Sequence, residues 1–144
     1  LGIVLKEVER APRRAVSVLG TAFKPKTPVI IDSPSIKLIR GLIDAGVDVT
    51  VYDPLALPNT KRLFGQRISY AESLLACVQS APVCVVATPW SEFRQIDETY
   101  IHWNPTIVID CWRILDPDKL GDKVRYVPLG RGPQRISLVV KQEG

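Results

Sequence analysis

Apolar positions recur along the chain with two periods, and the places where one period gives way to the other mark out its elements. Leu1, Val4, Leu5 and Val8 fall at helical spacing with Lys6, Glu7, Glu9 and Arg10 opposite, and Pro12 ends the pattern. That helix shows no N-cap residue, which predicts the tail of a longer linker. Ala15 to Leu19 is short, continuous and apolar, as a parallel strand covered on both faces should be. Ile36, Ile39 and Ile43, with Leu38 and Leu42 alongside, predict an amphipathic helix opening at Pro34 and stopping at Gly46. Val47 to Tyr52 then reads as a second strand closed by Asp53-Pro54, so the chain begins with a β-loop-α-β unit whose crossover should be right-handed.

The remainder repeats the theme with weaker signals. Leu55 to Gly65 reads as a loop with at most one helical turn, and Glu72 to Val78 as a short helix. Val83 to Ala87 and Thr106 to Ile109 are strong strands, and Val124 to Leu129 can form a fifth. Asp97 to Trp103 is expected to be helical, and the tail after Gly130 loose. Together these predict an α/β fold, a Rossmann-like doubly wound, mostly parallel sheet of about five or six strands with helices on both faces. The four strong strands should be nearly fully buried. The expected organisation is a linker helix over 1–14 from an upstream region, the domain proper over 15–132, and a tail over 133–144.

Composition narrows the function classes. The 144 residues suit one domain, and 46% hydrophobic with 24% charged residues is ordinary for a globular chain. A net charge of +4 suits an anionic ligand, yet the 19 basic residues are scattered among 15 acidic ones, which ranks nucleic acid low. Arg10, Arg13 and Arg14 form the one local run, read as a solvated linker in preference to an anion patch. Cys77, Cys84 and Cys111 lack CxxC or His-paired spacing, so reduced thiols in a cytoplasmic protein are expected, with no metal. Neither a membrane span nor a signal peptide is written in the chain.

The chemistry concentrates where strands end. Gly20 to Pro34, GTAFKPKTPVIIDSP, joins the first strand to the next helix and carries Phe23, Lys24 and Lys26, while Ser33 is placed to cap that helix and leave its first amides open to an anion. Asp53 stands where a dinucleotide fold grips a ribose hydroxyl, but the first turn has Gly20 alone in place of G-x-G-x-x-G, and a cap on the Pro54 turn is the favoured role. Trp90 and Phe93 after the third strong strand are read as core before lid. A lone His102 is read as a surface or packing residue.

GTAFKPKT, SPS, YDP, TPWSEF, VIDCWRIL and YVPLGRG, in this order and spacing from about Ala15 to Gly132, resemble the C-terminal domain of the UDP-glucose/GDP-mannose dehydrogenase family. The resemblance implies a nucleotide-sugar-binding domain of an enzyme that oxidises a C6 alcohol to a carboxylate with two NAD⁺ and a thiohemiacetal on a cysteine, and a homo-oligomer. It places Phe23 and Lys24 on the substrate-contacting Phe-Lys pair. The family's Asp-x-Arg falls on Asp110-Cys111-Trp112, with Arg113 one place later, so Trp112 and Arg113 are the substrate-side candidates there. Ile31 stands where the family has an arginine for NAD, which points to a divergent branch with a substrate other than UDP-glucose. The glycine fingerprint and the cysteine motif are not in this chain, so NAD is expected to be held mainly by an N-terminal domain and the chain alone to be inactive. Two other readings stand beside this one, a non-catalytic binding or assembly module and a small independent Rossmann oxidoreductase.

Overall fold

In the computed structural model, which describes residues 1–129, the chain runs α1 (Gly2–Arg10), β1 (Ala15–Leu19), α2 (Pro34–Asp44), β2 (Asp48–Tyr52), α3 (Leu57–Phe64), β3 (Ser69–Tyr70), α4 (Leu74–Val78), β4 (Val83–Val86), β5 (Ile107–Asp110) and β6 (Arg125–Pro128). The six strands form one sheet in the order β3-β2-β1-β4-β5-β6, with every pairing parallel. This is the doubly wound order, in which the chain leaves β1 in one direction and returns past it to build the other half. The expectation of a mostly parallel Rossmann-like sheet holds. The tail after Gly130 and the YVPLGRG motif beyond Leu129 lie outside the described residues.

Alternate side chains of the central strands feed two cores. Val16, Val18, Val83, Val85, Ile107 and Ile109 face one layer, with Ile3, Val4 and Val8 of α1 and Ile36, Ile39 and Leu42 of α2. Leu19, Cys84, Val86 and Val108 face the other, with Leu74, Cys77 and Val78 of α4 and Phe93. β1, β4 and β5 are buried along their whole length, which is why their sequences read as unbroken apolar runs. β2 departs from the expectation. Only Val49 and Val51 are buried, because β2 has a two-residue neighbour on its outer side and its other face is only partly covered.

Two further expectations are corrected. The segment read as a loop contains α3, whose Pro58 lies in the first turn, where a proline favours a helix, and whose Thr60 and Phe64 are buried one turn apart. The helix expected over 97–103 is a single 3₁₀ turn, Glu98–Tyr100, since the segment has no apolar stripe long enough to stabilise more. The arginine run is exposed and also makes surface contacts: Arg13 donates to the Ser80 carbonyl, and Arg14 to Glu9 and the Ala45 carbonyl. α1 itself packs on the sheet, its buried Glu7 paired with Arg125 of β6.

Candidate functional site

The register places the strand ends in line. Leu19 pairs with Tyr52 on one side and Val86 on the other, and Val86 pairs with Asp110. Four connections therefore leave the sheet side by side along its carboxyl edge, where doubly wound folds bind ligands.

The first connection has a fixed base and an exposed tip. Gly20 takes φ +96°, and a Cβ there would lie 2.4 Å from Thr88 Cβ, so glycine is required by both conformation and space. The next two residues are buried and heavily bonded. Thr21 and Ala22 donate their amides to Asp53 Oδ2 at 2.8 and 2.9 Å. Ala22 offers its carbonyl to Ser33 Oγ and Thr88 Oγ1, both at 3.3 Å. The Thr60 hydroxyl donates to the Ala56 carbonyl, so in its 2.8 Å contact with the Thr21 hydroxyl the latter is the donor. Phe23 and Lys24 follow at once and turn outward, Phe23 being 50% exposed. Phe23 does not pack beneath the loop; its amide donates to the Val29 carbonyl at 2.6 Å and closes the loop's neck.

Asp53 is not a free ribose acceptor. It is 3% exposed and takes five donors. Oδ1 accepts from the Leu55 and Ala56 amides, the local turn cap anticipated from the sequence, and Oδ2 accepts from Thr21, Ala22 and Trp90 Nε1. The reach across three connections carried no sequence signal, because nothing in the spacing joins residue 53 to residues 21, 22 and 90.

Trp90 and Phe93 are core residues, 7% and 0% exposed. The 3₁₀ turn that follows Trp90, Ser91–Gln95, is fastened by Tyr52, whose hydroxyl donates to Glu92 at 2.9 Å. Burial, reinforced by that carboxylate, pushes the Tyr52 phenol up to about 12.

At the end of β5, Asp110 is fully buried and accepts from the Trp112 and Leu115 amides and from the Tyr126 hydroxyl. Trp112 lies half-buried with its indole N–H donating to the Ala87 carbonyl at 3.0 Å, so it rests against the end of β4. Arg113 has φ +56°, is exposed, and sends Nε to the Leu129 carbonyl at 2.9 Å.

The anion pocket expected at the start of α2 is closed. Ser33 does cap the helix, but its hydroxyl takes the Ser35 amide, its carbonyl takes the Ile36 amide, and Pro34 has none to offer. Ile31 is 74% exposed, and His102 lies on the surface edge-on to Trp103. No group of metal-ligating side chains occurs among the described residues, and no helix there is long and apolar enough to cross a membrane. Hollows of about 300 and 220 Å³ lie elsewhere, the larger beside Glu7, Arg10 and Arg125; the exposed side chains at the carboxyl edge form a ledge.

The family described as "UDP-glucose/GDP-mannose dehydrogenase family, UDP binding domain" matches residues 17–117. Among curated proteins, the chain is 43% identical over 102 residues to a UDP-glucose 6-dehydrogenase of Haloferax volcanii, covering 71% of this chain and 24% of that protein. It is 32% identical over 119 residues to the UDP-glucose 6-dehydrogenase of Rickettsia bellii, covering 80% of this chain and 27% of that one. The chain thus spans about a quarter of the length of these relatives. In fold it resembles a UDP-glucose dehydrogenase from Pyrobaculum islandicum, with a TM-score of 0.73 at 24% identity over 88% of this chain and 27% of that one.

Proposed function

We infer the function from one premise: the chain belongs to the UDP-glucose/GDP-mannose dehydrogenase family, as its UDP binding domain. On this reading a nucleotide sugar lies along the ledge. Lys24 supplies a cation to its phosphate, sugar or carboxylate oxygens, and Phe23 an apolar surface. Trp112 and Arg113 approach from the end of β5. The observation that carries the reading is the first connection, where a bonded base at Thr21 and Ala22 presents Phe23 and Lys24 outward beside three other strand ends.

The substrate class follows the relatives. The Haloferax and Rickettsia relatives are named UDP-glucose 6-dehydrogenases, which favours UDP-glucose over the different sugar that the altered loop around Ile31 suggests. The reaction would be oxidation of the C6 alcohol to a carboxylate in a cytoplasmic, NAD-dependent homo-oligomer. This chain's share is binding and orientation of the nucleotide sugar. NAD does not fit its residues: the first turn has one glycine, the Thr21 and Ala22 amides and both Asp53 oxygens are already engaged, and Ile31 offers no charge to a pyrophosphate. A dinucleotide domain and a catalytic cysteine are assigned to sequence that this chain does not span, and the chain by itself is expected to be inactive.

Calorimetric titration of the chain with UDP-glucose and with NAD⁺ tests this directly. Saturable UDP-glucose binding with NAD⁺ weaker than submillimolar is expected; the reverse preference would overturn the assignment. A second reading, a binding module without catalysis, is favoured by Ile31 alone. Dehydrogenase activity in the protein that contains this domain would exclude it.

A further inference from the structure

We propose that Asp53 is a positioning residue for the nucleotide-sugar ledge, setting ligand affinity through the Thr21–Ala22 backbone that carries Phe23 and Lys24. The inference rests on the reading of the ledge given above. It starts from how the two carboxylate oxygens are used. Oδ1 serves the local turn, accepting from Leu55 at 2.9 Å and Ala56 at 2.8 Å. Closing that turn needs nothing more. Oδ2 faces away from that turn and accepts three donors from two other connections, the amides of Thr21 and Ala22 and the indole of Trp90 at 3.2 Å. A buried charge with five donors is held in one place, and it holds them in turn.

The consequence falls on the residue before the exposed pair. Ala22 is fastened on both sides, its amide by Asp53 and its carbonyl by Ser33 and Thr88, so the direction in which the chain enters Phe23 is fixed. Phe23 and Lys24 then need no further support to point off the ledge. With Oδ2 gone, two adjacent buried amides would lack an acceptor and would turn toward water, taking the Phe-Lys pair with them. Asparagine is the sharp probe. It matches aspartate in size but has one acceptor oxygen, so its amide nitrogen must confront either the local donors or the three distant ones.

The experiment is a double-mutant cycle by calorimetry with UDP-glucose on the wild-type chain, Asp53→Asn, Lys24→Ala and the double variant, together with amide exchange. Asp53→Asn should weaken binding roughly ten- to a hundredfold. Lys24→Ala should then cost far less in the Asp53→Asn background than in the wild type, because the lysine is no longer aimed. The Thr21 and Ala22 amides should lose protection while those of Val108 and Ile109 keep theirs. Unchanged affinity in Asp53→Asn, or a Lys24 effect of the same size in both backgrounds, would overturn the proposal and leave Asp53 a general stabiliser. If Asp53→Asn fails to fold, wild-type exchange decides: Thr21 and Ala22 amides exchanging as fast as exposed loops would overturn it, and core-like protection would uphold it. Absence of UDP-glucose binding in the wild type is a separate result, which removes the reading of the ledge itself.

Discussion

The two halves of the sheet use the same device to opposite ends. In the half containing β1, β2 and β3, Asp53 follows β2; in the half containing β4, β5 and β6, Asp110 ends β5. Both carboxylates are buried, accept from amides of the turn just beyond their strand, and reach a donor elsewhere, yet neither has an ion-pair partner among the described residues. The difference lies in what each half leaves free. The first fixes backbone at Thr21 and Ala22 and turns its side chains, Phe23 and Lys24, outward. The second engages the side chains themselves, the Trp112 indole on Ala87 and the Arg113 Nε on Leu129. One half therefore offers an exposed cation on a fastened backbone, and the other offers side chains already engaged. On the proposed reading, a ledge of this kind would orient a nucleotide sugar by the side chains set in place and recognise its charge with the one left free.

Removing either carboxylate should give the largest effect. Asp110→Ala leaves the Trp112 and Leu115 amides and the Tyr126 hydroxyl without their acceptor in a closed interior, and should lower unfolding free energy by about 3 kcal/mol or more. Chemical denaturation would measure it. A loss under about 1 kcal/mol would mean that water replaces the carboxylate and that the two halves are not held alike.

The halves also differed in how far they could be read before the structure. Continuous apolar runs announced β1, β4 and β5 because each is covered on both faces, and the β-loop-α-β opening gave the winding. α3 was hidden because Pro58 looked like a breaker, although its position in the first turn makes it a starter. The ledge was legible as a set of strand ends with polar and aromatic residues; the first loop already pointed to Phe23, Lys24 and Lys26, and resemblance set Lys24 above Lys26 and singled out Trp112 and Arg113. What holds it was not legible. Asp53 reaches Thr21 and Trp90, and Trp112 reaches Ala87, across distances in sequence that only the parallel register closes.

On ligand affinity the same asymmetry should show as a difference between two cations. Lys24→Ala should weaken UDP-glucose binding by roughly one to two decades, the loss of a charge-assisted hydrogen bond to an anionic or hydroxyl-rich ligand. Arg113→Ala should cost less, because its Nε is already committed to Leu129 and only the terminal nitrogens remain to reach the ligand. Parallel calorimetric titrations would rank them. A larger loss at Arg113 would move the charge recognition to the second half.

High pH should loosen both halves together. Burial raises the Cys84 and Cys111 thiols to about 12 and the Tyr52 phenol to about 12, and it raises Tyr126, helped by its bond to Asp110. Each native group keeps its proton where the unfolded chain would release it. Their stabilisation is therefore complete below about pH 9 for the thiols and about pH 10 for the phenols, and is lost as pH climbs toward 12. Thermal unfolding followed across that window should show a falling midpoint. In Tyr52→Phe the fall between pH 10 and 12 should be shallower. An identical slope would mean that Tyr52 ionises without consequence for the fold.

The smallest effect is expected at Lys26, and it sharpens what distinguishes Lys24. The two lysines lie two positions apart in one loop, both are exposed, and net charge alone would treat them as equals. Their backbones differ. Both lie in the loop that the Phe23 amide closes on Val29, but Lys26 sits at φ +65° and four residues from the fastened Ala22, whereas Lys24 is two residues from it. A side chain held two residues from a fixed anchor keeps its aim, and one at the turn of the loop points to water and has the entropy of a free surface lysine to lose on binding. Lys26→Ala should therefore change UDP-glucose affinity by no more than about twofold, the scale of a solvated charge near an anion. Measured beside Lys24→Ala at two salt concentrations, it should show nearly all of its small effect vanish at the higher one. Equal losses from both lysines, equally screened, would mean that the loop acts as a diffuse positive patch and that the bonded base beneath Phe23 and Lys24 has no part in recognition.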